Sequence, residues 1–210
     1  MPESIQTAPD GSLSDADALR AGSAGKGCKT VAFPTESAYA LGSTGLIKAA
    51  TRRLLQLKER STLKPLPVMV HSVEEAKKWV EWTPLADALA SRLWPGAVAL
   101  LLKPTAQGRL LTFPEYPNVA IRMPSHPAAR ALLAASGVPW VYTSANKSGR
   151  TPLTDAAGVA AALGPELDFI VDGGTTAAGE ATIVDATGAK PRVTKAGLVP
   201  AEKILEATAF

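Results

Sequence analysis

The chain has 210 residues, 46% hydrophobic and 20% charged, which suits one large domain with a packed core and excludes global disorder. A net charge of +3 excludes a histone-like polycation but is compatible with a local basic patch. A single cysteine, Cys28, excludes an internal disulfide, and with only His71 and His126 as histidines no metal site built from protein side chains is expected.

Residues 1–12, with Pro2, Pro9 and Gly11 among serines, read as a disordered leader, and 13–210 as a single domain. The N-terminus lacks a basic-then-apolar signal pattern, and no apolar run approaches the roughly 18 residues of a membrane span. The default expectation is a cytoplasmic protein with no membrane partner. Ser14-Asp15-Ala16-Asp17 offers an N-cap with acids in the first turn, opening a short helix that the glycines at 22, 25 and 27 should end. Thr30–Phe33 predicts a strand, stopped by Pro34. Thr35-Glu36-Ser37-Ala38-Tyr39-Ala40-Leu41-Gly42-Ser43 then places a hydroxyl and a carboxylate at a strand exit before a glycine-punctuated loop. That pattern fits a ligand edge or a capped turn.

Ala50, Leu54, Leu55 and Leu57 share one side of a predicted helix over 48–57. From Lys48 to Lys64 six basic residues, among them Lys58, Arg60 and Lys64, stand against one acid. Such a run is either a solvated face or a phosphate-binding edge, and here it ends at a Pro-Leu-Pro loop before a strand at 68–70. Ser72 and Glu75 form a capping box for a helix over 73–80, and a second helix follows over 84–93. Trp94-Pro95-Gly96 turns into an apolar strand at 97–102, and 104–118 reads as a loop. The short strand at 119–124 carries Arg122, a cation among apolar residues that is costly unless an anion meets it.

A helix over 127–135 leads to Val138-Pro139-Trp140-Val141 and then to Tyr142-Thr143-Ser144-Ala145-Asn146-Lys147-Ser148-Gly149. Ligands of open α/β sheets sit just beyond strand ends, where small hydroxyls and an amide are useful. The same cluster also suits a plain turn. Thr154 can cap an alanine-rich helix over 155–163, and 169–172 is a strand closed by Gly173-Gly174. Residues 174–181 read as flexible, 182–185 and 191–194 as a strand pair, and 201–207 as a final helix. Short strands mixed with helices predict an α/β fold, a single-domain twisted mixed sheet flanked by helices.

No Walker A loop, GxGxxG turn, GxSxG elbow or HExxH helix is present. What remains is a distributed set: hydroxyls at Thr35, Ser37, Thr143 and Ser144, cations at Lys58, Arg60, Lys64, Arg122 and Lys195, and the Asn146 amide. Many positive donors without a nucleophile–base pair fit an anionic, phosphorylated ligand, with catalysis by positioning and charge stabilisation.

Six short motifs come in one order: Phe33–Gly42; Lys58-x-Arg60 with Pro65-Leu66; Trp94-Pro95-Gly96; Val119–Pro124 with His126-Pro127; Ser144-Ala145-Asn146-x-Ser148-Gly149; and Asp172-Gly173-Gly174 with Gly179–Asp185. Together they resemble the YrdC-like (YrdC/YciO/TsaC) family of threonylcarbamoyl-AMP synthases over roughly residues 29–197. The resemblance implies a YrdC/RibB-like fold with a large basic concave cavity. It implies synthesis of threonylcarbamoyl-AMP and pyrophosphate from L-threonine, bicarbonate and ATP, with Mg²⁺ accompanying the ATP, for a tRNA modification. It implies catalytic roles for Lys58 and Arg60, and ATP contacts from these two with Lys64, Ser144, Asn146 and Lys195. It implies a threonine site of Thr35, Ser37, Arg122, Thr143 and the position of Ala181.

The chain departs from the family pattern at four places. Ala40 stands for the glycine of Tyr-Gly-Leu-Gly, Ala181 for the serine of Glu-Ser-Thr-Ile, Lys195-Ala196 for Arg-Pro, and Met69 for a histidine. These changes keep a second reading open, a catalytically weak paralogue that binds nucleotide or RNA (tRNA or double-stranded RNA) in the same cavity. The basic stretch at 48–64 would then carry a phosphate-dominated, salt-sensitive interaction.

Overall fold

The computed structural model describes residues 2–59 and 65–208. The chain opens with β1 (Glu3–Gln6), α1 (Asp15–Lys26), β2 (Val31–Phe33), β3 (Ala40–Thr44) and α2 (Lys48–Leu57). It continues with β4 (Val68–Met69), α3 (Val73–Trp79), α4 (Pro84–Leu93), β5 (Val98–Leu102), β6 (Val119–Arg122) and α5 (Pro127–Ser136). It closes with β7 (Trp140–Ser144), α6 (Ala156–Leu163), β8 (Phe169–Asp172), β9 (Thr182–Asp185), β10 (Arg192–Lys195) and α7 (Ala201–Glu206). Among the described residues the strands form one mixed ten-stranded sheet, ordered β1-β8-β2-β3-β7-β4-β6-β5-β9-β10. The expected single-domain mixed α/β sheet with flanking helices is what forms.

Successive strand residues point to opposite faces, and each face has its own core. Val31, Phe33, Ala40, Trp140 and Tyr142 pack under α1 and α5, against Ala21 and Leu132. Ala32, Leu41 and Val141 meet Leu54 of α2, Ala76 of α3, Leu89 of α4, Val159 of α6 and Ile204 of α7. Helix starts follow capping chemistry: Ser14 accepts from the Asp17 amide, Ser72 from Glu75 and Thr83 from Ala86.

Four expectations need correction. The segment read as a disordered leader contains β1, which pairs in parallel with β8 from Glu3–Phe169 to Gln6–Asp172. Its one buried side chain, Ile5, and the bond that Gln6 Nε2 donates to Asp172 at 3.1 Å hold it there. A strand buried at one residue in four leaves little trace in the sequence pattern. Helix α1 runs through Gly22 and Gly25, which were expected to stop it. Both are sites of close approach: a Cβ on Gly22 would lie 2.9 Å from the Leu132 carbonyl of α5, and one on Gly25 2.1 Å from the Trp140 ring.

Residues 40–44 form a strand between β2 and β7, where a loop was expected. Alanine, glycine and serine carry little strand propensity, but Gly42 admits the Phe33 and Trp140 rings, which would stand 2.8 and 2.9 Å from any Cβ. Asp155, not Thr154, caps α6 by accepting from the Gly158 amide.

Trp140, fully buried, is therefore clasped between Gly25 and Gly42, edge-on to Phe33 at 5.7 Å. Gly25→Ala gains up to about 1 kcal/mol of helix propensity but overpacks this contact. A net loss of about 2 kcal/mol is expected, read as a lower urea midpoint at unchanged slope. A midpoint at or above wild type would contradict the clasp.

Candidate functional site

Pro34 ends β2, and the turn into β3 carries the first polar cluster. Thr35 Oγ1 donates to the Ala38 carbonyl at 2.6 Å and accepts from the Ser37 and Ala38 amides at 3.2 and 3.3 Å. With that proton committed, the 2.9 Å contact between the two hydroxyls has Ser37 as donor. Thr35 thus holds the turn, and Ser37 keeps its lone pairs as acceptors.

Arg122, at the end of β6, is 1% exposed and lies 2.9 Å from Glu36. Glu36 is the anion that the buried arginine requires, and its other oxygen accepts from the Ser125 amide at 3.0 Å. The guanidinium also faces the Tyr142 ring at 5.5 Å. The ion pair is close but poorly aligned, so Arg122 Nε and Nη2 have no hydrogen-bond partner. Burial pushes the Tyr142 phenol pKa up, with the Arg122 charge opposing it.

Lys58 caps the C-terminus of α2 and is 4% exposed. Its ammonium donates to the Ser144 carbonyl at 2.8 Å, to Ser144 Oγ at 3.3 Å and to Asn146 Oδ1. Ser144 Oγ in turn donates to Asn146 Oδ1 at 2.7 Å, and Asn146 Nδ2 donates to the Arg150 carbonyl. The strand-end segment is tied back by Ala145 donating to the Tyr39 carbonyl at 2.8 Å and Ser148 donating to the Lys58 carbonyl at 3.1 Å. Lys147 bridges Glu59 and Glu166, each at 3.1 Å, outside this network.

The third wall comes from the end of the chain. Lys195 pairs with Glu180 at 2.8 Å, both about half exposed. Gly197 lies against the 180–182 backbone so closely that a Cβ would fall 2.4 Å from the Glu180 carbonyl. Thr182 Oγ1 donates to the Val199 carbonyl at 2.7 Å and accepts from its amide at 3.1 Å. Tyr39 fixes the neighbouring loop, its hydroxyl donating to the Gly174 carbonyl and accepting from the Gly173 amide. Burial pushes that phenol up to about 12.

These walls enclose a cavity of about 660 Å³. It brings together Thr35, Ser37, Arg122, Thr143 and Ala181 with Lys58, Ser144, Asn146 and Lys195. Arg60 and Lys64 lie outside the described residues. Arg150 adds a cation and Glu180 is the one acid among the described lining residues, so the cavity is basic. Tyr116, Arg150 and the Glu36–Arg122 pair escaped the sequence reading. The carboxylate at the strand exit and the costly cation at Arg122 were each visible in the sequence, but their pairing was not. Met69, one of the four departures, is fully buried in the core with Trp140 and lines no part of the cavity. Among the described residues no group of three or more His, Cys, Asp or Glu is placed to hold a metal ion.

Residues 24–197 match the Sua5/YciO/YrdC family model, whose description is telomere recombination. The chain belongs to the Sua5/YciO/YrdC family. It is 37% identical over 179 residues to the threonylcarbamoyl-AMP synthase of Pyrococcus abyssi, covering 84% of this chain and 52% of that protein. The crystal structure of P. abyssi Sua5 complexed with L-threonine superposes with a TM-score of 0.89 at 31% identity, over 99% of this chain and 61% of that one. Escherichia coli YciO superposes with a TM-score of 0.88 at 25% identity, over 97% of this chain and all of that one. This family member therefore spans about half the length of the P. abyssi synthase and the whole length of YciO.

His126 caps α5, its Nδ1 accepting from the Ala128 amide at 3.2 Å. Burial holds its pKa below the ordinary 6.5, while the Glu36 charge opposes the shift. Unfolded chain therefore takes up a proton near pH 6.5 that the native cap refuses, so this residue costs stability as pH falls below that value. Urea midpoints from roughly pH 7.5 to pH 5 should fall more for wild type than for His126→Asn, whose amide can cap uncharged. Parallel falls would contradict the assignment.

Proposed function

We propose that the chain makes threonylcarbamoyl-AMP and pyrophosphate from L-threonine, bicarbonate and ATP. The observation that carries this reading is the pair of buried cations on one cavity, Lys58 beside the Ser144 hydroxyl and Asn146 amide and Arg122 beside Glu36 and Tyr142. Threonine offers a carboxylate and ATP a triphosphate, so the two substrates match two separate positive centres.

In this reading Arg122, on the cavity wall, receives the threonine carboxylate. Ser37, a hydroxyl with its proton already committed, accepts from the amino nitrogen. The amine nitrogen bonds to carbon dioxide derived from bicarbonate and loses a proton, giving a carbamate. A carbamate oxygen then attacks the α-phosphorus of ATP, and the bond to the β-phosphate oxygen breaks with its electrons leaving on pyrophosphate. Lys58, Ser144, Asn146, Arg150 and Lys195 supply the field and donors that offset charge on the phosphates. Magnesium enters as part of the substrate, on the phosphate oxygens. Arg60 and Lys64 are assigned to the same phosphates.

The full-length match to YciO and the changes at Ala181 and Lys195 favour a second reading, a paralogue that binds nucleotide or RNA with weak turnover. In that case α2 and its basic face would contact RNA phosphates. One assay separates the two: purified protein with ATP, labelled bicarbonate and an amino acid, followed for pyrophosphate and labelled adenylate. Threonine-dependent product is expected, and Ala181→Ser should lower the threonine KM several-fold, the effect of about one added hydrogen bond. Absence of threonine-dependent product, beside a synthase active under the same conditions, would remove the first reading.

A further inference from the structure

We infer that Glu36 is a positioning residue, the resident counter-ion that holds the Arg122 guanidinium from behind and keeps it in place on the cavity wall; its effect on threonine rests on the reading above. Thr35 and Ser37 both line the cavity, and Glu36 between them does not. Arg122 does line it, so its side chain has the ligand space on one side and the Glu36 carboxylate, at 2.9 Å, on another. The Tyr142 ring, 5.5 Å from the guanidinium carbon, closes a further side. Among the described residues no other carboxylate pairs with Arg122. Without Glu36 the arginine would be a buried charge with no counter-ion, which costs the native state heavily.

Both ends of this contact are anchored in backbone. Glu36 sits in the turn that Thr35 closes through the Ser37 and Ala38 amides and the Ala38 carbonyl. Its second oxygen accepts from the Ser125 amide at 3.0 Å, one residue before His126 caps α5. The segment from Arg122 to Ser125 is pinned as well. The Arg122 carbonyl accepts from the Val70 amide at 3.0 Å, and the Met123 carbonyl from the Gly96 amide at 2.9 Å. One carboxylate therefore ties the β2–β3 turn to both a side chain and the backbone of the β6–α5 connection. Arginine has a long side chain with several rotatable bonds, and holding its charged end lowers the ordering cost of binding. Glu36 acts on a ligand only through Arg122.

Chemical rescue tests the assignment. Glu36→Ala vacates a slot the size of a carboxylate, and the Glu36 side chain is 20% exposed, so formate can reach the slot from solvent. In calorimetry Glu36→Ala should bind L-threonine about ten-fold more weakly than wild type, the scale of one charged contact, and formate at constant ionic strength should restore most of the loss. Formamide, of similar shape without the charge, should restore none. The urea midpoint of Glu36→Ala should fall and recover with formate, while that of wild type stays unmoved. Glu36→Gln keeps the volume and an acceptor for the Ser125 amide but no charge. It should bind threonine as weakly and ignore formate, and its intact packing keeps the test readable. Affinity for ATP with magnesium should be about unchanged in both variants, which a general loss of structure would not allow. Wild-type threonine affinity in Glu36→Gln, or rescue by formamide equal to that by formate, would overturn the counter-ion role. So would formate that restores the midpoint yet competes with threonine, since it would then occupy the cavity side of Arg122. A wild-type chain that binds no threonine would remove the reading above, and the formate-dependent midpoint would still decide for or against Glu36.

Discussion

A buried positive charge must be met by an anion, either from the protein or from a ligand, and this molecule places two such charges on one cavity. Arg122 is met in part by Glu36, yet two of its nitrogens remain without hydrogen bonds. Lys58 meets dipoles, the Ser144 carbonyl and hydroxyl and the Asn146 amide oxygen. Neutral acceptors stabilise an ammonium without cancelling its charge. Both centres put positive charge on the cavity wall, where burial strengthens its field. This is the property a site for two anionic substrates needs.

The sheet is what holds the centres in place. Arg122 and Ser144 stand at the ends of β6 and β7, and β4 lies between those strands. Trp140, at the start of β7, is locked against Gly25 and Gly42, so helix α1 and strand β3 set the position of the strand that delivers Ser144. The wall opposite in sequence is strapped by Thr182 and Gly197, where backbone meets backbone with no room for a side chain. Replacing serine by alanine at 181 thus changes the chemistry of that wall while its backbone path is fixed by neighbours. The Lys195–Glu180 pair is different in kind. Both groups are half exposed, so their attraction is screened and the pair is weak.

Much of this was legible in the sequence. Strong apolar periodicity located α2 and α4 to the residue, and Asp172 and Asp185 marked the ends of β8 and β9. Capping residues gave the starts of α1 and α3. Two failures share a cause: β3 and the extent of α1 depend on small residues whose role is to admit a distant ring or backbone, whereas β1 is buried at one residue in four. Gly25 and Gly42 look like breaks until Trp140 is seen between them. Residues that line the cavity stood out as hydroxyls and cations at strand ends, and the family resemblance put them in order. Glu36 as partner of Arg122, and Tyr116 on the cavity wall, required contacts between segments far apart in the chain. Thr35 shows the limit of reading residue types: its hydroxyl is spent on the turn, and Ser37 carries the free acceptor.

The central claim is that the Arg122 centre exists to receive a carboxylate. Calorimetry with L-threonine and L-threoninamide, which differ only in that group, tests it most directly. The account predicts that the amide binds wild type at least about ten-fold more weakly, the scale of a charge-assisted hydrogen-bonded pair. It predicts that Arg122→Met binds the two with equal, weak affinity. Equal affinity of wild-type protein for acid and amide would contradict it.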